Sequence, residues 1–381
     1  MGKQKKKFKF SNLIATLFFL GIGAFCGFFI GMIIGENFDA DKPIGQTLLI
    51  AGGLFLAMYA AIVIQLIIHE AGHLVFGLIS GYKFSSFRIF SLMWVKEGGK
   101  IKIKRLSIAG TGGQCLMSPP EMKDGKIPVT LYNLGGSLMN FIASTVFLIL
   151  FILFKNVFFV STVLLFFTAI GYIIAIMNGV PMRMGTIDND GYNAFSLTKS
   201  PEAMRSFWVQ MKANEQLSNG VRLKDMPDEW FKLPSDEEMK NSMVAALGVF
   251  CCNRLMDAQK FEEADKLMKH ILSIESGMVG LHRNLLVCDR IFIEMTGGNK
   301  KEIVDLMLTK EQKTFMKQMK NFPSVLRTQY VYALLCENDT AKAEKIRKQF
   351  ENIAKTYPYP NDIQAERELM ELSKEITKLN K

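Results

Sequence analysis

Two of the four histidines in the chain lie four residues apart, in the sequence His69-Glu70-Ala71-Gly72-His73. Residues four apart share one face of a helix, so two imidazoles at this spacing can bind one Zn²⁺ ion. Glu70 is then the candidate general base for a hydrolytic reaction. The alternative is a chance pentapeptide whose histidines make hydrogen bonds between helices. We favour the metal site, because a carboxylate inside an apolar helix is costly and usually marks a functional site.

A zinc hydrolase needs a third protein ligand, which leaves the fourth position for water or substrate. The segment 178–191 offers one, because a helix-breaking Pro181 is followed there by the two carboxylates Asp188 and Asp190. We expect this segment to meet His69 and His73, with either aspartate as the ligand. The alternative is an acidic turn exposed to solvent after the last apolar helix.

Long apolar stretches must form the elements that position these side chains. The composition, 49% apolar and 22% charged, excludes a disordered chain, and four long stretches contain no Asp, Glu, Lys or Arg. Each exceeds the roughly 20 residues that a helix needs to cross a bilayer. The predicted helix that carries the histidines, 44–80, is about 55 Å long if straight and overshoots a bilayer core of roughly 30 Å. Both histidines lie toward its later end. We therefore predict a mostly α-helical, polytopic membrane protein with four transmembrane helices, at about 12–35, 44–80, 128–154 and 157–179.

The charged residues indicate how these helices are oriented. The chain has 46 Lys and Arg against 36 Asp and Glu, and the excess lies mainly in the first nine residues and in residues 81–128. Basic clusters beside apolar spans mark the cytoplasmic side of a membrane, and they do not form the footprint of a nucleic-acid-binding protein. We predict a multi-pass protein of a bacterial cell membrane, with both termini in the cytoplasm and no disulfide bonds.

Residues 84–108 contain a strand pattern between the second and third spans. Apolar and polar residues alternate from Val95 to Lys104 around Gly98-Gly99, which predicts a small cytoplasmic or re-entrant β-hairpin. Its edge can hold an extended substrate as an added strand. The alternative is a plain cytoplasmic loop. We place the hairpin in a membrane-embedded domain, residues 1–194.

The remaining residues, 195–381, predict a soluble all-α domain on the cytoplasmic side. Apolar residues recur at helical spacing in pairs of segments that turns separate, and these pairs resemble tetratricopeptide-type helical hairpins. Arrays of such hairpins bind peptides or partner proteins. The alternative is a helical bundle that packs only on itself. The paired segments are 245–256 with 262–274, and 330–336 with 341–353.

The two motifs together resemble the site-2 protease family of intramembrane zinc metalloproteases. The family has H-E-x-x-H in one transmembrane helix and N-x-x-P followed by D-G near the end of a later one, which Asn178, Pro181 and Asp190-Gly191 match here. The resemblance implies that His69, His73 and Asp190 are the metal ligands and that Glu70 is the general base. The family usually has its aspartate five residues after the proline, whereas Asp190 lies nine and Asp188 seven residues after it. Asp188 is therefore an alternative ligand, and the D-G pair favours Asp190.

A further match lies at the start of the third span. The sequence from Leu134 to Asn140 resembles the family's motif of small residues followed by Asn, and its glycines permit close helix contact. Asn140 and Asn178 are the candidates for holding the substrate backbone or the oxyanion. The resemblance implies hydrolysis of peptide bonds within or near a transmembrane segment of a membrane-bound regulator, a signal-peptide remnant or a peptide precursor. The alternatives are a catalytically inactive membrane scaffold that binds partners through its C-terminal helices, and a transporter, which the lack of an internal repeat disfavours.

Overall fold

A computed structural model describes residues 43–108, 111–184, 187–298 and 301–379, together with a few isolated positions before residue 43. The first predicted span, 12–35, lies outside these ranges. The described chain is mostly helical, with a small antiparallel sheet. In chain order, its helices of seven or more residues and its strands are α1 (Ile44–Ile79), β1 (Lys83–Ile89), β2 (Leu92–Glu97), β3 (Lys100–Arg105), β4 (Gly113–Ser118), α2 (Val129–Leu153), α3 (Phe158–Gly179), β5 (Arg183–Met184), β6 (Ile187–Asp188), α4 (Asp190–Ser196), α5 (Pro201–Ser218), α6 (Ser242–Asp257), α7 (Phe261–Ser273), α8 (Gly280–Thr296), α9 (Lys301–Met307), α10 (Lys310–Gln318), α11 (Pro323–Val331), α12 (Thr340–Ala354) and α13 (Pro360–Leu379).

The chain divides into two compact units. The first comprises residues up to Ser80 together with Pro128–Ser196, and the second comprises Gly81–Ile127 together with Leu197–Lys381. In the first unit, α1, α2 and α3 are each long and apolar enough to cross a membrane. They correspond closely to the second, third and fourth predicted spans. Many of their large apolar side chains are exposed, while the buried positions include polar residues, which is the pattern expected of helices surrounded by lipid.

Glycines allow α1 and α2 to approach closely. A Cβ atom at Gly72 of α1 would collide with the carbonyl oxygen of Gly135 in α2, and one at Gly135 would lie 2.7 Å from the carbonyl oxygen of Gly72. The two backbones therefore touch at this crossing. Close contact through small residues is the usual way in which membrane helices pack, and the glycines predicted to permit it have this role.

The second unit begins with a four-stranded antiparallel sheet in the order β3-β2-β1-β4. The predicted hairpin forms its β2–β3 pair, with Glu97 opposite Lys100 and a turn at Gly98-Gly99. Both glycines have positive φ angles, 57° and 79°, which match a tight two-residue hairpin turn. The prediction of a hairpin is therefore confirmed, but two further strands, β1 and β4, extend it.

The sheet groups with the C-terminal helices rather than with the three long apolar helices, whereas the sequence placed it in the predicted domain 1–194. The Trp208 indole of α5 donates a hydrogen bond to the Pro120 carbonyl oxygen over 3.0 Å, and Ser118 donates to Glu215 of the same helix. The Arg105 amide donates to the Thr356 carbonyl oxygen over 2.8 Å. These contacts join parts of the chain that lie far apart in sequence, so the sequence order of the segments did not reveal them.

Helices α6 to α13 complete the second unit, and the four segments predicted from periodicity are helical. Residues 245–256, 262–274 and 341–353 fall within or overlap α6, α7 and α12, while 330–336 continues from α11 into a π-helical turn, Tyr332–Cys336. Buried ion pairs link these helices. Arg327 of α11 bonds to Asp289 of α8 and to Glu366 of α13, the latter over 2.8 Å.

Candidate metal centre

Three potential ligand atoms meet in the first unit. His69 and His73 lie one turn apart on the buried face of α1, and Asp190 is the first residue of α4. Asp190 Oδ2 lies 3.0 Å from His69 Nε2 and 3.3 Å from His73 Nε2, and the two Nε2 atoms are 3.3 Å apart. Among the residues that the structure describes, this is the one group of three or more His, Cys, Asp or Glu side chains able to hold a metal ion.

The hydrogen bonds behind the imidazoles define which ring nitrogen faces the centre. His73 Nδ1 lies 2.9 Å from the carbonyl oxygen of Tyr132, which can only accept, so Nδ1 carries the proton. His69 Nδ1 lies 2.8 Å from Oδ1 of Asn140 and donates to it in the same way. In each neutral ring, Nε2 then has a lone pair directed toward Asp190. This arrangement is typical of histidines that bind a metal.

Three hydrogen-bond acceptors therefore converge on one point. Two imidazole lone pairs and a carboxylate repel one another unless a proton or a cation lies between them. Burial by itself raises the pKa of the Asp190 carboxyl, but hydrogen bonds and positive charge from His69 and His73, when these rings are protonated, outweigh burial and hold that pKa well below its usual range. The carboxylate is thus charged and available as a ligand.

Glu70 provides a second carboxylate in the same part of α1. It directly follows His69, and it is only 7% exposed although it lies in an apolar helix. Because it directly follows His69, its side chain is turned by about 100° around the helix axis from that histidine. The predicted ligand pair and the predicted base are thus enclosed together.

Helix α2 provides the surface against which the His69 ring packs. A Cβ atom at Gly136 would lie 2.5 to 2.7 Å from three atoms of the His69 imidazole. Any larger residue at position 136 would therefore displace the ring. This contact explains why small residues precede Asn140 in the sequence: they leave room both for α1 and for the His69 ring.

The structure separates the two candidate aspartates. Asp190 lies against the histidines, whereas Asp188 pairs with Arg183 across the short β5–β6 hairpin, with 3.2 Å between Asp188 Oδ1 and Arg183 Nε. The hairpin accounts for the unusual spacing, because it takes up the additional residues between Pro181 and Asp190. Of the two alternatives left open by the sequence, Asp190 is the one that joins the cluster.

Asn189, which the sequence analysis did not single out, holds this segment in place. Its Nδ2 donates to the carbonyl oxygens of Met177 (2.7 Å) and Val180 (2.6 Å), while its Oδ1 accepts from the amides of Met182 (2.9 Å) and Tyr192 (2.8 Å). The bond from Tyr192 is a helix N-cap, and the preference of Asn for that position is the signal that the sequence offered.

Gly191 allows α4 to lie directly against the end of α3. A Cβ atom at this position would collide with the carbonyl oxygen of Gly179. The D-G pair therefore has a structural reason: the aspartate reaches the histidines only because the next residue has no side chain. Together with Asn189, this contact determines where the Asp190 carboxylate lies.

The two predicted substrate-binding asparagines differ in their contacts. Asn140 is fully buried, and its carboxamide bonds to His69 on one side and to Gln65 on the other. In this structure the Asn140 carboxamide orients His69, and its predicted contact with a substrate stays a prediction. Asn178 donates to the Ile174 carbonyl oxygen of its own helix over 3.1 Å and is half-buried. Its role toward a substrate stays a prediction.

Comparisons of the chain with protein-family models, with curated proteins and with solved structures find no match. The resemblance to the site-2 protease family therefore depends on the motifs and is carried forward as a proposal. The geometry above does not depend on it, since the three ligand atoms, their hydrogen-bond partners and their glycine neighbours are properties of this chain.

Proposed function

We propose that the chain is an intramembrane zinc metalloprotease, which hydrolyses peptide bonds within or near transmembrane segments. The observation that carries the proposal is the set of separations among His69 Nε2, His73 Nε2 and Asp190 Oδ2, which are 3.0 to 3.3 Å. Zinc ligands at 2.0–2.1 Å in tetrahedral geometry are about 3.3 Å from one another, so the three atoms have the spacing of a zinc site.

The ligand set favours a catalytic site over a structural one. Structural zinc sites have four protein ligands, whereas two histidines and one carboxylate leave one tetrahedral position open. Bound there, Zn²⁺ supplies a Lewis acid that polarises a carbonyl and makes water acidic enough to react near neutral pH. Glu70 takes a proton from the attacking water and returns it to the leaving amine, while Asn140 and the Tyr132 carbonyl keep the histidines oriented.

The location of the cluster supports a substrate in the membrane. His69, Glu70 and His73 lie in the second half of α1, one of the three helices that are apolar and long enough to cross a bilayer. A helical substrate segment hides its amides in hydrogen bonds and must unwind locally before it is cut. We propose that the substrate is a membrane-bound regulator, a signal-peptide remnant or a peptide precursor.

The topology and the role of the second unit belong to the same proposal. The basic residues before the first predicted span and in 81–128 support a cell-membrane protein with its termini in the cytoplasm. The helices α6 to α13 would then face the cytoplasm, where they recruit substrate or a partner protein. This role depends on the resemblance of the helix pairs to peptide-binding arrays.

Metal analysis of the purified full chain, combined with Glu70→Gln, tests the proposal. We expect about one zinc per wild-type chain, and we expect the variant to keep its zinc but lose at least roughly 100-fold in the rate of cleaving single-span membrane peptides in micelles. The physical reason is that an amide cannot accept the proton. Cleavage is measured by mass spectrometry, and Glu202→Gln, an exposed acid-to-amide change in α5, is the matched control.

Two results would overturn the proposal. One is a wild-type chain that binds no metal, and the other is a Glu70→Gln chain that cleaves as fast as the control. A metal-free chain that still captures a membrane partner through its C-terminal helices would favour the scaffold function instead.

A further inference from the structure

Gln65 is a fully buried amide in an otherwise apolar part of α1, one turn before His69. An amide in such surroundings is costly unless each of its groups is hydrogen bonded. Its Nε2 donates to the Phe167 carbonyl oxygen of α3 over 2.7 Å. Gln65 therefore connects the helix that carries the histidines to a helix that contributes no ligand of its own.

The bonds of Gln65 continue to the metal centre in a fixed direction. Because the Phe167 carbonyl only accepts, the amide nitrogen of Gln65 faces α3 and its Oε1 faces Asn140. Asn140 Nδ2 donates to this Oε1 over 2.7 Å and to the Gln65 backbone carbonyl over 2.8 Å. Asn140 Oδ1 is then left to accept from His69 Nδ1, which keeps His69 Nε2 unprotonated and directed at Asp190.

A glycine in α3 provides the space for this amide. A Cβ atom at Gly171 would collide with Gln65 Nε2 and with the Ser144 hydroxyl of α2. The helix thus lacks a side chain at the place where the amide of α1 enters. This packing is independent of the hydrogen bonds, and it indicates that α3 provides a specific space for the Gln65 amide.

We propose that Gln65 is a positioning residue of the metal centre, which acts through Asn140 to present His69 Nε2 to the ion. The inference depends on the proposed zinc site and extends it to the three helices, since α3 now helps to orient a ligand on α1. The backbone carbonyl of Gln65 also accepts from Asn140, so removal of the side chain weakens the orientation of Asn140 without abolishing it.

The test is the zinc affinity of the full chain in detergent, measured by competition with a chelator. Gln65→Met keeps the length of the side chain but removes its donor and acceptor, and we expect about a 10-fold weaker affinity. In an Asn140→Leu background the same change should have no further effect, because the connection to His69 is already broken. Thr168→Val is the matched control, since it removes a buried hydroxyl of α3 that bonds to Leu164 of its own helix, and it should leave the affinity unchanged.

Each other outcome overturns the inference. Gln65→Met with wild-type zinc affinity overturns it while leaving the zinc site intact, and so does an equal loss in the presence and absence of Asn140. A wild-type chain that binds no zinc overturns the metal centre and the positioning role together. The two failures are therefore distinguishable.

A measurement on the wild type keeps the inference testable if a variant does not fold. The chain has four histidines, so labelling them with ¹⁵N gives a small set of signals. In the zinc-loaded protein we expect His69 to carry its proton on Nδ1 and to bind through Nε2. Signals that show zinc on Nδ1 of His69 would overturn the inference.

Discussion

Buried polar side chains are arranged differently in the two units of the chain. In the first unit, the amides of Gln65 and Asn140 are uncharged, and their hydrogen bonds lead to His69. The chain of bonds ends where the Nε2 atoms of His69 and His73 meet the carboxylate of Asp190. At that point three hydrogen-bond acceptors face one another, and they repel unless a histidine takes up a proton or a cation lies between them.

In the second unit, buried charges balance one another. Arg327 is 1% exposed and lies between Asp289 and Glu366, while Arg222 bonds to Asp257 over 2.6 Å and to Glu368 over 2.7 Å. A buried charge is tolerated when it is paired, and each arginine here has two carboxylates. The comparison teaches that buried polarity alone does not mark a functional site. The distinguishing feature of the first unit is a cluster of acceptor atoms that needs a proton or a cation to balance it.

The largest expected effect concerns the proposed third ligand. Asp190→Ala should lower the zinc content of the purified chain from about one ion to nearly none, because one of the three proposed protein ligands is lost. Asp188→Ala should keep the zinc, since Asp188 pairs with Arg183 instead. Metal analysis of both variants measures the difference. If Asp188→Ala loses the ion and Asp190→Ala keeps it, the assignment of the ligand is wrong.

A smaller effect is expected from breaking the charge balance of the second unit. Arg327→Met removes the cation from between two buried carboxylates and should lower the free energy of unfolding by about 3–5 kcal/mol. The midpoint of thermal unfolding should fall by roughly 10 °C for a unit of this size. The zinc content should not change, because the substitution lies in the second unit and the candidate metal centre lies in the first.

The matched control for this variant is Arg347→Met. Arg347 pairs with Glu344 one turn away over 2.8 Å, but both side chains are exposed, so its loss should cost less than about 1 kcal/mol. Equal effects of the two substitutions would show that burial of the Arg327 pair contributes nothing to stability.

The smallest expected effect is a dependence of stability on pH in the second unit. Burial, followed by the nearby charges of Glu366 and Asp257, raises the pKa of Asp362 to about 7, although Arg222 opposes this. The unfolded chain has the ordinary pKa of about 4, so the folded state binds the proton more tightly and loses stability as pH rises from about 4 to about 7.

Asp362→Asn should remove this dependence. We expect the variant to unfold a few degrees above the wild type at pH 8, where the carboxylate is charged, and at about the same temperature at pH 4. Thermal unfolding of both chains at a series of pH values measures this difference in unfolding temperature. A wild-type chain that gains stability between pH 4 and 7 relative to the variant would contradict the sign.

Much of the site could be predicted because its chemistry is encoded in local spacing. His69 and His73 are one turn apart, and the apolar stretches that became α1, α2 and α3 are long enough to be recognised without any tertiary information. The Gly98-Gly99 turn was likewise predictable, because positive φ angles favour glycine at both positions. Asp190 was favoured over Asp188 by its following glycine, and the structure gives the contact that requires it.

The remaining features depend on contacts between distant parts of the chain. Gln65 and Asn140 lie on different helices, so nothing in the local pattern indicated that Asn140 orients His69. Asn189 bonds to the end of α3 through a turn whose shape the sequence does not specify. The pairing of β4 with β1 was missed for the same reason, since more than twenty residues separate the two strands.

The position of Asp190 along the chain has a consequence for biosynthesis. The histidines on α1 leave the ribosome well before Asp190, which follows α3 and is held against the end of that helix through Gly191 and Asn189. A nascent polypeptide that ends before residue 190 therefore lacks one of the three proposed ligands. Under the proposed function, capture of the metal ion waits until α3 and Asp190 have been translated, so shorter chains lack the proposed centre.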